Sequence, residues 1–180
     1  MRLALILCLA ATASASAQTT WHNLHFGQSR DAVTAELTNQ NMPSTSSDDG
    51  TLQVSTDFEE LLPGLRYPLP LIVTVHFNAN SALSDVTLAL DLPAARHYWS
   101  SIGSDEALFN FAAEHFTGAL SGRYGAPLFS SNSCDGEPKQ ASTFCIISWR
   151  GAEQTVEMER SVTAKGPRLL IRYQPLAGDL

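Results

Sequence analysis

The amino-acid sequence predicts an α+β domain, in which an antiparallel meander sheet carries two helices packed on one of its faces. Two observations favour this class. Segments that alternate apolar and polar residues follow one another through short turns, without the intervening helices that parallel strands would require. Two amphipathic helical segments each precede a group of strands, and this repeated order suggests a degenerate duplication with a glycine and a capping serine before each helix.

The chain opens with MRLALILCLAATASASA, which has the three parts of a secretory signal peptide. Arg2 supplies the positive start, residues 3–11 are apolar, and residues 15–17 read A-x-A. The apolar run is shorter than the roughly 20 residues that a membrane-spanning helix needs. We therefore expect a cleaved signal peptide over residues 1–17, a single α+β domain over residues 18–180, and a periplasmic or extracellular location without stable membrane insertion.

The first half should contain one helix and three strands, with a further strand at TWHNLHF before the helix. Ser29 is a fitting N-cap for a helix over residues 30–40, because Val33 and Leu37 fall on one helical face. The polar segment at residues 43–50 predicts a loop. The strands should span residues 51–58, 71–77 and 82–92, the last two as a hairpin around an Asn-rich turn.

The second half should repeat this plan with a longer helix. Ser104 is its expected N-cap, Asp105 and Glu106 stand at its positive end, and Gly122 or Gly125 ends it. Its apolar residues recur at spacings of three and four. Alternating patterns then predict strands over residues 144–149, 154–162 and 168–173.

Composition argues against nucleic acids and anionic membranes as partners. The chain has 18 acidic and 11 basic side chains, and its net charge of −7 becomes more negative once Arg2 is removed. Such a surface repels phosphate groups, and no basic cluster in the sequence offsets it.

Two cysteines, Cys134 and Cys145, remain after signal cleavage, and in an oxidising compartment an even pair predicts a disulfide. The polar, turn-rich segment between them is easily closed, and the bridge would contribute about 3 kcal/mol. A redox pair or a thiolate metal site is the alternative, although the sequence contains no C-x-x-C motif.

The phrase LHFGQSRDAVTAEL (residues 24–37) resembles the strand, glycine, Ser/Thr cap and short helix that open small bacterial envelope modules. Examples are the outer-membrane assembly lipoprotein BamE and the tandem repeats of the beta-lactamase inhibitor protein. The segments LSGRYGAP, SWRGAEQTVEME and LLIRY are similar to a pattern in uncharacterised exported bacterial proteins. The chain differs from BamE in lacking a lipid-anchor cysteine, and from the inhibitor in having one cysteine pair. The resemblance implies a non-catalytic protein-binding module, and it transfers no functional residue.

Signatures of catalysis and metal binding are missing from the sequence, which has no G-x-S-x-G, no H-E-x-x-H and no glycine-rich phosphate loop. On a strand, His22 and His25 would point to opposite faces and would not bind one ion. His76 and His115 fit edge or core positions. We expect no catalytic residue, no metal and no cofactor.

The segment PAARHYWSS (residues 93–101) is the predicted binding surface, since it joins charge, rings and polar tips between a strand and the long helix. Apolar residues of the segment 61–67 and the exposed side of the sheet would extend it. The predicted binding residues are Arg96, His97, Tyr98, Trp99, Leu65 and Tyr67. In the alternative, Tyr98 and Trp99 only fill the space between sheet and helix.

The sequence therefore predicts an exported, non-catalytic protein-binding or inhibitor-like module that contacts an envelope or extracellular protein. A small exported hydrolase with dispersed catalytic residues is the alternative, since such sites are defined by geometry and not by sequence order. A metal or small-ligand carrier is the third hypothesis.

Overall fold

The computed structural model of the protein describes residues 21–57, 65–131, 144–164 and 166–176. The predicted signal peptide lies outside these residues. The helices are α1 (Arg30–Asn39), α2 (Leu92–Tyr98) and α3 (Asp105–Tyr124). The strands are β1 (Ser44–Ser46), β2 (Leu52–Asp57), β3 (Pro70–Phe77), β4 (Leu83–Leu90), β5 (Phe129–Ser130), β6 (Phe144–Arg150), β7 (Gln154–Thr163) and β8 (Gly166–Pro175).

All eight strands form one antiparallel sheet in the order β1-β2-β3-β4-β8-β7-β6-β5. Each half of the chain therefore builds a four-stranded meander, and the last strands of the two meanders, β4 and β8, pair at the centre. The α+β class with an antiparallel meander is confirmed. Every neighbouring pair is antiparallel, so the strands of each meander need no crossover helix between them.

The two meanders share their strand register as well as their order. A two-fold rotation about the central Thr87–Arg172 pair exchanges the neighbouring pairs Val86–Tyr173 and Leu88–Ile171. The same rotation carries β1 to β4 onto β5 to β8, pair by pair. Any position in one meander thus has an equivalent in the other, which allows matched comparisons between the halves.

One face of the sheet is the core. Directly paired residues point to the same side, so pairs across six strands form two buried rows. The first row holds Leu52, Val75, Val86, Tyr173, Val156 and Trp149, and the second holds Val54, Val73, Leu88, Ile171, Met158 and Ile147. All twelve side chains are at most 7% exposed. We call this side the inner face and the opposite side the outer face.

Helix α3 packs on the inner face of the second half. Trp149 Nε1 donates to Ser121 Oγ at 3.3 Å, and the Arg160 guanidinium lies 5.6 Å from the ring centroid of Phe109. The buried residues of α3 and the two buried residues of α1, Val33 and Leu37, join one core cluster with both strand rows.

Both long helices begin as expected. The Ser29 hydroxyl accepts from Ala32 N at 3.3 Å, and the Ser104 hydroxyl accepts from Ala107 N at 3.1 Å, so the same cap opens each half. Gly125 ends α3 with a φ of 84°, a left-handed conformation that favours glycine. None of the helices in the described residues is both long enough and apolar enough to cross a membrane.

The prediction of a strand at TWHNLHF was wrong. His22 and Asn23 have φ values of 45° and 59°, which strands do not adopt, and Leu24 N donates to Trp21 O across a turn. Trp21 and Leu24 are nevertheless buried. They reach the core from a turn.

Three short elements were not predicted. The segment 43–50 contains β1, the segment 93–101 contains most of α2, and β5 follows α3. The beginning of α2 has a recognisable signal: the Asp91 carboxylate accepts from Ala94 N at 3.0 Å, and a proline occupies the first turn. Strands of two or three residues show too little alternation to be found by pattern.

Candidate functional site

Arg96, the first predicted binding residue, holds two helices together. It lies in the last turn of α2, where its Nε donates to Asp105 Oδ1 at 3.0 Å. Its Nη1 also donates to the carbonyl of Ile102. Both partners belong to the start of α3 or to the segment before it, so this guanidinium fixes the turn between α2 and α3.

Trp99 connects the segment 65–69 to the helices. Its Nε1 donates to Pro68 O at 2.8 Å, and its ring lies edge-on to Tyr67 with centroids 5.6 Å apart. The other side of the ring contacts Phe111 of α3, with centroids 4.7 Å apart. Leu65 is also partly buried against the core. Trp99 thus fills the space between sheet and helix, as in the alternative interpretation.

His97 and Tyr98 point away from this packing. His97 is exposed, Tyr98 is 38% exposed, and their rings meet edge-on with centroids 5.5 Å apart. Tyr67 is 41% exposed, and the Arg66 guanidinium lies 5.4 Å from its centroid. The predicted residues therefore form two groups. Arg96, Trp99 and Leu65 take part in packing, whereas His97, Tyr98 and Tyr67 form a small surface of exposed rings.

A serine, an aspartate and a histidine meet on β3 and β4, but in the wrong order for a hydrolase. His76 Nε2 lies 3.8 Å from Asp85 Oδ1, and Ser84 Oγ donates to Asp85 Oδ2 at 3.2 Å. A nucleophilic triad needs the imidazole between hydroxyl and carboxylate, so that it can take the hydroxyl proton. Here the carboxylate is in the middle, and this arrangement does not activate Ser84.

The histidines of the described residues do not converge. His115 Nδ1 lies 2.9 Å from Phe111 O, and its ring stacks near Phe111. His22 Nδ1 lies 3.2 Å from Gln40 Oε1. Across the ranges that the structure describes, no three histidine, cysteine or acidic side chains are placed to hold one metal ion.

A site that the sequence did not predict lies at the β5 end of the sheet. Leu128, Phe129 and Phe144 are 69%, 55% and 51% exposed, more than the other large apolar side chains of the described residues. We call these three residues the apolar edge. Phe129 pairs with Ser148, whose neighbours along β6 are buried, so Phe129 projects on the outer face with Phe144.

The opposite edge of the sheet has the same backbone arrangement with polar side chains. The two-fold rotation places Phe129 on Thr45 and Ser130 on Ser46, since Thr45 pairs with Gln53 and Ser46 with Leu52. The strand β1 reads STS. Proteins normally protect edge strands with charge, proline or polar residues. The β1 edge follows this rule and the β5 edge does not.

Charge on the outer face also differs between the halves. Arg150 and Arg172 are exposed there, and Arg172 lies between Thr87 and Glu157 in the pairing. At the equivalent positions of the first half stand Ser55 and Thr87. Glu157 and Glu159 of β7 also lie on the outer face, and Glu157 pairs with Ser148, the partner of Phe129, so the outer face beside the apolar edge carries both signs of charge.

Cys145 is buried on β6, and Cys134 lies outside the described residues, so their disulfide stays a prediction.

Comparisons of the chain with protein-family models, with curated proteins and with solved structures found no match. The similarity of residues 24–37 to BamE-type modules accordingly remains a resemblance of one short motif.

Proposed function

We propose that the chain is an exported, non-catalytic module that binds a protein partner along its apolar edge. The observation that carries this proposal is the exposure of Phe129 on an edge strand and of Leu128 directly before it, at positions where the equivalent edge carries Thr45 and Ser44. Large apolar side chains exposed at the edge of a sheet are candidates for contact with a partner.

The edge strand suggests how the partner binds. Along the outer side of an edge strand, backbone N–H and C=O groups are available to an added strand. A partner segment in extended conformation would pair with β5 through its backbone, while Phe129 and Phe144 contact its side chains.

Export is supported by the sequence. The predicted signal peptide and the predicted Cys134–Cys145 disulfide both fit a periplasmic or extracellular location. The hydrolase alternative is disfavoured by the carboxylate-centred order of Ser84, Asp85 and His76. The exposed rings of Tyr67 and Tyr98 are the competing contact surface.

Photo-cross-linking in the producing cells tests the proposal directly. A benzophenone amino acid placed at position 129 should give a discrete adduct with one protein, identified by mass spectrometry. The same probe at position 45, the equivalent site on the polar edge, should give none. Adducts from position 98 but not from position 129 would move the binding site to the exposed rings and would refute the edge proposal.

The identified partner then allows a binding measurement. The double variant Leu128→Ser, Phe129→Thr copies the polar edge, and we expect it to weaken binding at least tenfold, since apolar anchors at an interface contribute more than about 1.4 kcal/mol. The matched control Tyr67→Ser, Tyr98→Ser should bind within about twofold of the wild type if the edge is the contact surface.

A further inference from the structure

The inner face of the second half contains a small group of polar side chains beneath the end of α3. Tyr173 on β8 is fully buried, and Gln154 on β7 is 1% exposed. Tyr173 pairs with Val156, two residues from Gln154 on the same face, so the two polar groups are diagonal neighbours. Tyr124, the last residue of α3, covers them from above: its hydroxyl accepts from Gln154 Nε2 at 3.0 Å.

Two polar atoms of this group have no hydrogen-bond partner among the described residues, namely Tyr173 Oη and Gln154 Oε1. Each such buried group costs about 1–3 kcal/mol when it is left unsatisfied. The Tyr124 hydroxyl accepts from Gln154 and still has its own hydrogen to donate. The group thus presents two hydroxyl donors and one amide acceptor in a buried space.

The fold itself does not require these polar groups. In the first half, the positions equivalent to Gln154 and Tyr173 are Leu71 and Leu88, both buried and apolar. The same backbone is therefore compatible with an apolar layer at this level. A small bound molecule that completes their hydrogen bonds would account for the polar residues of the second half.

We propose that one water molecule is bound between Tyr173, Gln154 and Tyr124. It accepts from the hydroxyls of Tyr173 and Tyr124 and donates one hydrogen to Gln154 Oε1. Three hydrogen bonds are the usual number for a buried structural water, and three polar partners are what this site provides. The site is independent of the proposed partner at the apolar edge.

The protonation state of the two tyrosines is consistent with a bound water molecule. Burial raises the pKa of both Tyr173 and Tyr124, so both phenols stay neutral and able to donate at physiological pH. The Arg123 guanidinium lies over the Tyr124 ring, with its Cζ 5.4 Å from the ring centroid. The three polar side chains that face the site are uncharged, which favours a neutral guest.

The bound water would also hold the end of α3 in place. Tyr124 directly precedes Gly125, where α3 ends and the chain turns toward Leu128 and β5. Through Tyr124, the water joins the last turn of the helix to strands β7 and β8.

A crystal structure of the mature protein at about 1.5 Å resolution tests this site. We expect a water peak within hydrogen-bond distance of Tyr173 Oη, Gln154 Oε1 and Tyr124 Oη, typically about 2.7–3.0 Å. In a Tyr173→Phe, Gln154→Leu variant the peak should be lost. A dry site in the wild-type crystal, or a direct hydrogen bond from Tyr173 to Gln154, would overturn the proposal.

Nuclear magnetic resonance gives an answer that does not depend on crystals. The slowly exchanging hydroxyl protons of Tyr173 and Tyr124 should show rotating-frame Overhauser cross-peaks to water that vanish for Tyr124 in the Tyr173→Phe, Gln154→Leu variant. Folding of that variant is checked by its amide spectrum, and the single change Tyr173→Phe serves if the double variant does not fold. Tyr173 and Tyr124 hydroxyl resonances without a cross-peak to water in the wild type would refute the site.

Discussion

The two halves of this sheet have one backbone plan and different side chains. In the first half, the inner positions Val54, Leu71 and Leu88 are aliphatic, whereas their equivalents in the second half are Trp149, Gln154 and Tyr173. Each residue of the second set has a polar group that must find a partner under α3. The same backbone positions thus hold aliphatic side chains in one half and, in the other, side chains whose polar groups lie on the side of α3.

The two edges of the sheet differ in polarity in the opposite direction to the inner face: here the first half is the polar one. The first half ends in the polar strand β1, and the second ends in the apolar residues before and within β5. Within the part of the chain that the structure describes, the shared backbone plan thus has a polar edge on one side and an apolar edge on the other. Under the proposed function, the apolar edge of the second half is the side that binds.

The largest expected effect comes from the equivalent core positions. Trp149→Ala removes a fully buried ring and its bond to Ser121, and it should lower the free energy of unfolding by about 3–5 kcal/mol. Val54→Ala should cost only about 2 kcal/mol. Urea unfolding followed by circular dichroism measures both.

If Trp149→Ala and Val54→Ala lowered the free energy of unfolding by the same amount, the expected difference between the two halves would be contradicted. If the Trp149→Ala variant does not fold, Trp149→Phe keeps most of the ring and still tests the contact with α3. That variant should lose less stability than the alanine variant, since it keeps a six-membered ring in the core and loses the five-membered part of the indole with its N–H.

The predicted disulfide would strengthen the second half alone, because the first half of the mature chain contains no cysteine. Reduction of the exported protein should raise its mass by about 2 Da and lower its stability by about 3 kcal/mol. Mass spectrometry and urea unfolding, each with and without reductant, provide the measurement. A protein isolated from its export compartment with two free thiols would show that Cys134 and Cys145 are not paired.

The buried tyrosines predict a loss of stability at high pH. Burial raises the pKa of Tyr173 above its ordinary value of 10.0, so the folded state retains a proton that the unfolded state releases. This contribution is complete below pH 10 and is lost as the pH rises toward the folded pKa, with a slope of up to about 1.4 kcal/mol per pH unit.

Replacing Tyr173 by Phe should remove that part of the slope. Unfolding midpoints in urea at pH 9, 10 and 11 would show a flatter decline for the variant. Tyr98→Phe is the control, because Tyr98 is on the surface, and its decline should match the wild type. Identical slopes for the wild type and Tyr173→Phe would contradict the raised pKa.

The smallest effect on stability should come from exchanging the edges. Leu128→Ser with Phe129→Thr changes exposed side chains and should alter the free energy of unfolding by no more than about 0.5 kcal/mol. The reverse exchange, Ser44→Leu with Thr45→Phe, should create a second apolar edge and increase self-association in analytical ultracentrifugation. A reverse variant as monomeric as the wild type would show that apolar side chains alone do not make an edge bind.

Much of the fold could be predicted because its signals are local and long enough to recognise. The helix after Ser29 and the helix after Ser104 each have a cap and an apolar stripe, and the hairpin β3–β4 alternates along both strands except beside its turn. The binding residues were harder to assign. Trp99 and Tyr98 are adjacent in sequence, yet one packs against Tyr67 and Phe111 while the other is exposed.

The apolar edge was missed for a physical reason. Leu128 and Phe129 have the same apolar character as core residues, and only their position at the end of the sheet leaves them uncovered. A sequence records which residues avoid water, but not which of them the folded chain succeeds in burying. The two unpredicted strands at the edges, β1 and β5, have three and two residues and carry no periodic signal.

The sequence by itself determined the class of the fold, the two long helices with their caps, and the order of the main strands. These depend on interactions between residues close in the chain, which leave periodic and capping patterns. Only the tertiary structure decided that β4 pairs with β8, that Tyr173 and Gln154 meet beneath Tyr124, and that Phe129 lies on an open edge. Those features join residues far apart in the chain, and the pairing of distant strands is set by how both meanders pack on a shared core.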